Sequence, residues 1–140
     1  MVRKAHAIWR GSLKEGKGTF STGSNVLSSI PYTFAQRFED APGTNPEELV
    51  AAAHAACFSM ALSAELGKAG FTPDQVETKA SLTFEPKDGK PTVTKIHLDC
   101  NARVPGIASD AFATIADGAK KGCPISRLLN TEITLDAKLG

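Results

Sequence analysis

Hydrophobic and polar residues alternate with a period of two in four stretches of the chain, which predicts strands that bury one face. These stretches are residues 31–39, 76–84, 93–100 and 131–139. Two shorter segments, residues 5–10 and 18–22, are bounded by glycine-containing turns, so the N-terminal region is predicted to be an antiparallel meander. Asp88 and Gly89 separate two of the alternating stretches and predict the turn of a hairpin.

Between the two groups of strands lies a segment with the signals of a long helix. Asn45 is a favourable N-cap, and Pro46 suits the first helical position. Glu48 is placed to complete a capping box with Asn45. The next stop signal is Gly70, so the helix is predicted to run to about Lys68.

This central helix is apolar on all sides. From residue 49 to residue 62 only His54 and Ser59 are plainly polar. A helix of this kind is expected to be buried in a large core or between subunits. The segment is too short and too rich in alanine to be a good membrane span.

Two further helices are predicted near the C-terminus. Ser109 is interpreted as the N-cap of a helix that ends at Gly122, and Pro124 begins a short helix that reaches about Asn130. Strands cluster rather than alternate with helices, so the predicted fold class is α+β with a mainly antiparallel sheet, in a single domain of residues 1–140. Because a sheet covers only one side of the apolar helix, we expect a second subunit to cover the rest.

Composition and charge limit the partners and the cellular location that we expect for this protein. The chain has 140 residues and a formal net charge of +1, and its basic residues are scattered, so neither nucleic acid nor an anionic membrane is an expected partner. Residues 1–10 contain no apolar core of a signal peptide, and we therefore expect a reducing, cytoplasmic location. There, the three cysteines are more often catalytic or metal-binding than structural.

The three cysteines occupy different predicted environments. Cys100 lies on the apolar face of a strand and is interpreted as an inert core residue. Cys123 stands at the N-cap of the short helix, where the helix dipole favours a thiolate, although Gly-Cys-Pro is also a simple tight link between helices. Cys57, in the middle of the long helix, is either a small core residue or a thiolate that needs a cation. Arg37, on the predicted strand before the helix, is the candidate cation.

A metal site is the weaker alternative. His54 and Cys57 have a spacing that suits zinc, but Cys123 and His97, the remaining candidate ligands, have no paired spacing. His54 is one helical turn from Cys57 and has the chemistry of a base. A packing or exposed histidine is the simpler interpretation of the same residue.

Three motifs resemble the osmotically inducible protein C (OsmC) family, the sister group of the organic hydroperoxide resistance (Ohr) proteins. They are Arg37-Phe38-Glu39, residues 43–62 (GTNPEELVAAAHAACFSMAL) and Gly122-Cys123-Pro124. The resemblance extends from the strand that contains Trp9 to residues 133–136. The Arg-Phe-Glu motif and the histidine before Ala-Ala-Cys are more similar to the OsmC branch than to the Ohr branch.

The resemblance implies a thiol peroxidase of oxidative and osmotic stress defence that reduces organic hydroperoxides, and hydrogen peroxide more weakly, without a cofactor. Cys57 matches the peroxidatic cysteine, Cys123 the resolving cysteine, and Arg37 and Glu47 the pair that holds the thiolate. The family also implies an OsmC-like fold in an intertwined homodimer, and an external dithiol reductant that is often a lipoylated protein. The alternative is a non-catalytic stress protein that binds a small hydrophobic ligand.

Two questions about this site stay open at the level of sequence. Either Glu47 or Glu48 can partner Arg37, and the capping box leaves Glu47 the freer of the two. Glu47 and Cys57 are also about 15 Å apart along one helix, too far for direct contact. Either Arg37 bridges within one subunit, or two central helices pack antiparallel and cross near Ala52. The small alanines around Ala52 let two helices approach closely, so the site is predicted to be built from both subunits.

Overall fold

Six strands and four helices follow one another in the order βββααββααβ in the computed structural model, which describes all residues from Met1 to Gly140. The chain divides into two compact units, Met1–Leu49 and Val50–Gly140. The elements are β1 (Ala5–Arg10), β2 (Lys17–Thr22), β3 (Ile30–Tyr32), α1 (Phe34–Phe38), α2 (Pro46–Lys68), β4 (Gln75–Lys87), β5 (Lys90–Arg103), α3 (Ser109–Gly122), α4 (Pro124–Leu128) and β6 (Glu132–Leu139).

The first unit contains the predicted antiparallel meander, with strand order β1-β2-β3. Gly18 in the middle strand pairs with Trp9 on one side and with Tyr32 on the other. A Cβ atom at Gly18 would lie 2.6 Å from the Tyr32 ring and 2.7 Å from the Trp9 ring. The two rings, whose centroids are 5.3 Å apart, therefore pack over a position that only glycine fits.

The prediction of a strand over residues 31–39 is wrong after Tyr32, because the chain turns there into helix α1. Thr33 is the N-cap, and its hydroxyl accepts a hydrogen bond from the backbone N–H of Gln36 at 3.4 Å. Phe34 and Phe38, four residues apart, stack with ring centroids 4.8 Å apart. A spacing of four places two side chains on one face of a strand and also on one face of a helix, so the pattern alone is ambiguous.

Helix α2 begins and ends as predicted. The Asn45 side chain accepts a hydrogen bond from the backbone N–H of Glu48 at 2.8 Å, and Gly70, beyond the last turn, has a φ of +89°. The reciprocal half of the predicted capping box is absent. The Glu48 carboxylate instead accepts a hydrogen bond from the Thr44 hydroxyl at 2.8 Å.

The second unit contains a sheet of order β4-β5-β6. The predicted hairpin joins β4 to β5, and its turn residues Asp88 and Gly89 have φ angles of 52° and 73°, typical of a type I′ turn. Strand β6 pairs with β5 in parallel, whereas every other strand pair is antiparallel. The strands thus form two three-stranded sheets that are mainly antiparallel.

Two helix boundaries near the C-terminus differ from the prediction. Ser109 is the first residue of α3 rather than its N-cap, which is Ala108, and the Asp110 carboxylate accepts a hydrogen bond from the next backbone N–H. Helix α4 ends at Leu128, because the backbone of its C-cap, Leu129, is extended. These shifts of one or two residues are the usual precision of boundary assignment.

The core of the second unit lies between α2, α3 and one face of the sheet. Its fully buried side chains include Phe58 and Leu62 from α2, Ile96 and Leu98 from β5, and Phe112 from α3. Cys100 is also completely buried on β5, as predicted, and its burial raises the pKa of its thiol.

Helix α2 buries only one of its faces in the single chain, through four side chains spaced four residues apart: His54, Phe58, Leu62 and Leu66. The opposite face exposes Ala52, Ala56, Met60 and Ala64. The expectation of a helix buried on most sides is therefore not met within one chain. By length and hydropathy α2 would pass as a membrane span, but a single helix of this kind is weak evidence for one.

Candidate active site

Two reduced thiols face each other in the second unit. Cys57 of α2 and Cys123, at the junction of α3 and α4, are separated by 66 residues, and their sulfur atoms lie 2.9 Å apart. The S–H group of Cys123 donates a hydrogen bond to the sulfur of Cys57. Cys57 is partly exposed, whereas Cys123 is completely buried. The thiol of Cys57 is therefore accessible to a dissolved molecule, whereas that of Cys123 is not.

The backbone around Cys123 explains its orientation. Cys123 is both the C-cap of α3 and the N-cap of α4, with φ −54° and ψ 129°. Its N–H donates to the carbonyl of Ala119 at 2.9 Å, and its carbonyl accepts from the N–H of Arg127 at 3.0 Å. Both helices therefore hold this residue. Cys123 is thus the N-cap of α4, as predicted, but its side chain makes no capping hydrogen bond and points to Cys57 instead.

The environment of Cys57 raises the pKa of its thiol. Burial is the largest cause, and the neighbouring Cys123 thiol acts in the same direction. A hydrogen bond from the backbone N–H of Ile125 lowers the pKa of Cys57 and partly offsets these effects. Sequence reasoning missed Ile125. The available signal was Pro124, which has no N–H and leaves the amide of Ile125 as the first free donor of α4.

His54 lies in the same buried region and is completely inaccessible to solvent. Its Nε2 atom is 2.7 Å from the hydroxyl of Ser126 in α4, and its Nδ1 atom is buried without a hydrogen-bond partner. Burial lowers the pKa of the imidazole, so His54 is neutral at pH 7. Of the sequence interpretations, a packing histidine fits this position, and Ser126 is a partner that no sequence signal indicated.

Arg37 and Glu47 form an ion pair in the first unit. The Nε and Nη2 atoms of Arg37 donate to the same oxygen, Oε1 of Glu47, at 3.0 and 2.8 Å. The other oxygen, Oε2, is buried without a hydrogen-bond partner. Of the two adjacent glutamates, Glu47 contacts Arg37, and Glu48 is bound to Thr44. Arg37 is carried by α1 and not, as predicted, by a strand.

A cavity of about 240 Å³ in the first unit adjoins Arg37. Most of its lining is aromatic or aliphatic, and the Arg37 guanidinium is its one charged group. The lining residues are Trp9, Leu13, Tyr32, Thr33, Phe34, Arg37 and Phe38.

No group of three or more His, Cys, Asp or Glu side chains is arranged to hold a metal ion. His97, a candidate ligand in the sequence interpretation, instead lies 2.7 Å from the Thr134 hydroxyl through its Nδ1 atom. His54 and Cys57, on one face of α2, contact the Ser126 hydroxyl and the Cys123 thiol.

The structure therefore brings two pairs of predicted site residues together, Cys57 with Cys123 and Arg37 with Glu47. The two pairs belong to different compact units. An α+β chain with two apposed free thiols has the arrangement that thiol–disulfide chemistry requires.

Comparison with known proteins identifies the family. The OsmC-like protein family matches residues 38–138, and the chain is 53% identical to Peroxiredoxin OsmC of Escherichia coli (strain K12) over 137 residues, 98% of this chain and 96% of the relative. The chain belongs to the OsmC family. The family resemblance read from the three sequence motifs is thus confirmed.

Solved structures share the fold of this chain. The organic hydroperoxide resistance protein OhrB of Bacillus subtilis aligns with a TM-score of 0.67 and 25% identity, over 96% of this chain and 98% of that protein. An OsmC-like protein of unknown function from Vibrio cholerae aligns with a TM-score of 0.78 and 17% identity, over 99% of both chains. The predicted α+β, OsmC-like fold is confirmed.

Proposed function

We propose that this chain is a thiol peroxidase that reduces organic hydroperoxides to alcohols. The observation that carries the proposal is the thiol pair, with sulfur atoms 2.9 Å apart, one partly exposed and one buried. The match to a relative named Peroxiredoxin OsmC over nearly the whole chain supports it. The chain is an oxidoreductase, and its own residues supply both electrons of each turnover.

In the first step the Cys57 thiolate attacks the terminal oxygen of the hydroperoxide. The S–O bond forms as the O–O bond breaks, and the alkoxide takes up a proton and leaves as the alcohol. Cys57 is oxidised to the sulfenic acid, and the hydroperoxide is reduced by two electrons. Cys57 takes this role because it is the more exposed member of the pair.

In the second step the sulfur of Cys123 attacks the sulfenic acid of Cys57. The S–S bond forms, the S–O bond breaks, and the hydroxyl group leaves as water with a proton from Cys123. The sulfur atoms, 2.9 Å apart, have to approach by about 0.9 Å to reach the length of a disulfide. An external dithiol, such as a lipoylated protein, then reduces the disulfide and is itself oxidised to a disulfide.

Arg37 and Glu47 serve this reaction through charge. Burial raises the pKa of Cys57, so a thiolate at pH 7 needs a cation, and Arg37 supplies it and stabilises the developing alkoxide. Glu47 holds the guanidinium through two hydrogen bonds to one carboxylate oxygen. These roles follow the family resemblance, and the ion pair between the two residues supports them.

Organic hydroperoxides are the proposed substrate class. The cavity beside Arg37 has an apolar lining with one guanidinium, which suits a molecule with an apolar body and a polar end. Cumene hydroperoxide is therefore expected to give a larger kcat/KM than hydrogen peroxide, because only the former gains from burial of its apolar surface. Equal or better kcat/KM with hydrogen peroxide would contradict this substrate class.

The proposed working form is a homodimer in the cytoplasm. The exposed apolar face of α2, which includes Met60 with 77% of its surface exposed, supports a second copy as its cover. The three free thiols favour a reducing compartment, where an external dithiol is available to regenerate the enzyme.

The test is consumption of cumene hydroperoxide by the wild-type chain, by Cys57→Ser and by Cys100→Ala, each with excess dithiol. Cys57→Ser is expected to lose all turnover, because Cys57 provides the attacking sulfur. Cys100→Ala is the matched control, a cysteine removed from the core, and is expected to retain turnover. Multiple turnovers by Cys57→Ser would refute the assignment. A wild-type chain that binds the hydroperoxide without losing thiols would instead be a ligand-binding protein.

A further inference from the structure

The first turn of α4 supplies two groups to the sulfur of Cys57: the thiol of Cys123 at the N-cap and the backbone N–H of Ile125. Helix α4 has only five residues, and none of them is buried. Isolated helices of this length are unstable in water, so contacts with the rest of the protein must hold α4 in place. Apolar packing of Ile125 and Leu129 against the core provides part of this anchoring.

The hydrogen bond between His54 and Ser126 provides a polar anchor. His54 precedes Cys57 by three residues on α2, and Ser126 follows Cys123 by three residues at the start of α4. Residues three apart on a helix are neighbours on one face. The 2.7 Å contact between Nε2 and the serine hydroxyl therefore lies one helical turn from the thiol pair.

Burial of His54 costs free energy of folding, and this cost points to a functional role for the residue. The three other buried positions of α2 are hydrophobic: Phe58, Leu62 and Leu66. His54, at the remaining buried position, has its Nδ1 atom buried without a hydrogen-bond partner, which costs free energy of folding. A leucine would avoid this cost, but it could not bind Ser126.

We propose that His54 is a positioning residue that acts through Ser126 to hold the first turn of α4 against Cys57. The neutral imidazole and the serine hydroxyl form one hydrogen bond, and the tautomer of the imidazole decides which of the two is the donor. This bond keeps the Ile125 N–H on the Cys57 sulfur and keeps Cys123 within reach for disulfide formation. The inference rests on the proposed function for the meaning of the disulfide, but the contact itself can be tested without a hydroperoxide.

The test compares four variants. Ser126→Ala removes the hydroxyl without enlarging the side chain, and His54→Leu replaces the imidazole by the residue type that fits the rest of the buried face. His54→Gln is the conservative variant, because its amide group reaches the position of Nε2. Ser59→Ala is the matched control. It also removes a serine hydroxyl from a hydrogen bond of α2, the 2.8 Å bond to Thr78, but that bond is not linked to α4.

The first measurement is disulfide formation between Cys57 and Cys123 after one equivalent of cumene hydroperoxide. At a pH high enough to deprotonate Cys57 in every variant, Ser126→Ala and His54→Leu are expected to form the sulfenic acid at a rate near that of the wild type. They should then form the disulfide at least about fivefold more slowly, the factor that corresponds to one net hydrogen bond. His54→Gln should recover most of this rate, and Ser59→Ala should match the wild type.

The second measurement is the rate of Cys57 alkylation by iodoacetamide as a function of pH. Loss of the Ile125 N–H raises the pKa of Cys57, so the profile of Ser126→Ala should move to higher pH. A purely structural role of the His54 bond would leave this profile in place. Hydrogen exchange should also show faster exchange of the α4 amides, such as the Arg127 N–H, with unchanged exchange in α3.

Ser126→Ala decides the outcome even if His54→Leu fails to fold. A wild-type rate of disulfide formation and an unchanged alkylation profile in Ser126→Ala would overturn the inference. Diamide, a thiol oxidant that is not a peroxide, separates this failure from failure of the proposed function. Slow disulfide formation with diamide in Ser126→Ala, in a protein that does not react with hydroperoxide, would uphold the positioning role and refute only the peroxidase.

Discussion

Replacement of Cys123 by serine should separate the two steps of the proposed reaction. The hydroxyl is smaller than the thiol and fits the fully buried site, but it cannot form a disulfide. In the wild-type chain the sulfur atoms start 2.9 Å apart and have to approach by only about 0.9 Å. A pair oriented in this way reaches an effective concentration of about 10⁵ M or more, so a dissolved thiol at millimolar concentration is a poor substitute.

The stoichiometry follows from the three free thiols. With one equivalent of hydroperoxide the wild-type chain should retain one titratable thiol, that of Cys100, and lose about 2 Da as the disulfide forms. Cys123→Ser should also retain one thiol, but it should gain about 16 Da as the sulfenic acid accumulates on Cys57. Further hydroperoxide should add about 16 Da more to the variant only, as the sulfinic acid.

The assay combines thiol titration in denaturant with intact mass, sampled from seconds to minutes after mixing with cumene hydroperoxide. A Cys100→Ala chain serves as the control, because it also lacks one cysteine but should form the Cys57–Cys123 disulfide normally. Loss of mass by Cys123→Ser through an internal disulfide would show that another cysteine resolves Cys57. Multiple turnovers with dithiol at the wild-type rate would refute the resolving role of Cys123.

Three further predictions concern charge and assembly. Glu47→Gln should lower kcat/KM for hydroperoxide about tenfold, because a neutral amide binds the Arg37 guanidinium less strongly than a carboxylate does. The neighbouring Glu48→Gln is the control and should change kcat/KM little; equal losses in both variants would contradict the role assigned to Glu47. In the proposed mechanism Arg37 is the cation near Cys57, so Arg37→Gln should shift the pH profile of Cys57 alkylation to higher pH and lower the rate at pH 7. Burial already raises the pKa of this thiol, and removal of a nearby positive charge would raise it further; an unchanged profile would separate Arg37 from the thiolate. Mixed dimers refolded from Cys57→Ser and Glu47→Ala protomers should regain hydroperoxide turnover if both subunits build each site, and no rescue would place the site within one subunit.

Local signals explain which elements could be predicted from the sequence. The Asn45 cap, Pro46 and Gly70 delimit α2 because capping depends on residues within one turn of the helix end. Asp88 and Gly89 predict the β4–β5 hairpin because both adopt the positive φ that its turn requires. Family motifs, and not spacing, predicted the roles of the four site residues Cys57, Cys123, Arg37 and Glu47. Their spacing along the chain does not determine how far apart they lie in the fold.

Two ambiguities of the sequence pattern are resolved by local contacts that only the structure shows. Phe34 and Phe38 suit a strand or a helix equally, and the Thr33 cap together with their stacked rings selects the helix that carries Arg37. Glu47 rather than Glu48 meets Arg37 because the Thr44 hydroxyl engages Glu48.

The surroundings of the thiols depend on the packing of α4 against α2. Ile125 contacts Cys57, which lies 68 residues earlier in the sequence, and Ser126 contacts His54, 72 residues earlier. No periodicity or motif encodes such contacts, because they arise only when two helices distant in sequence are brought together by burial of a common core.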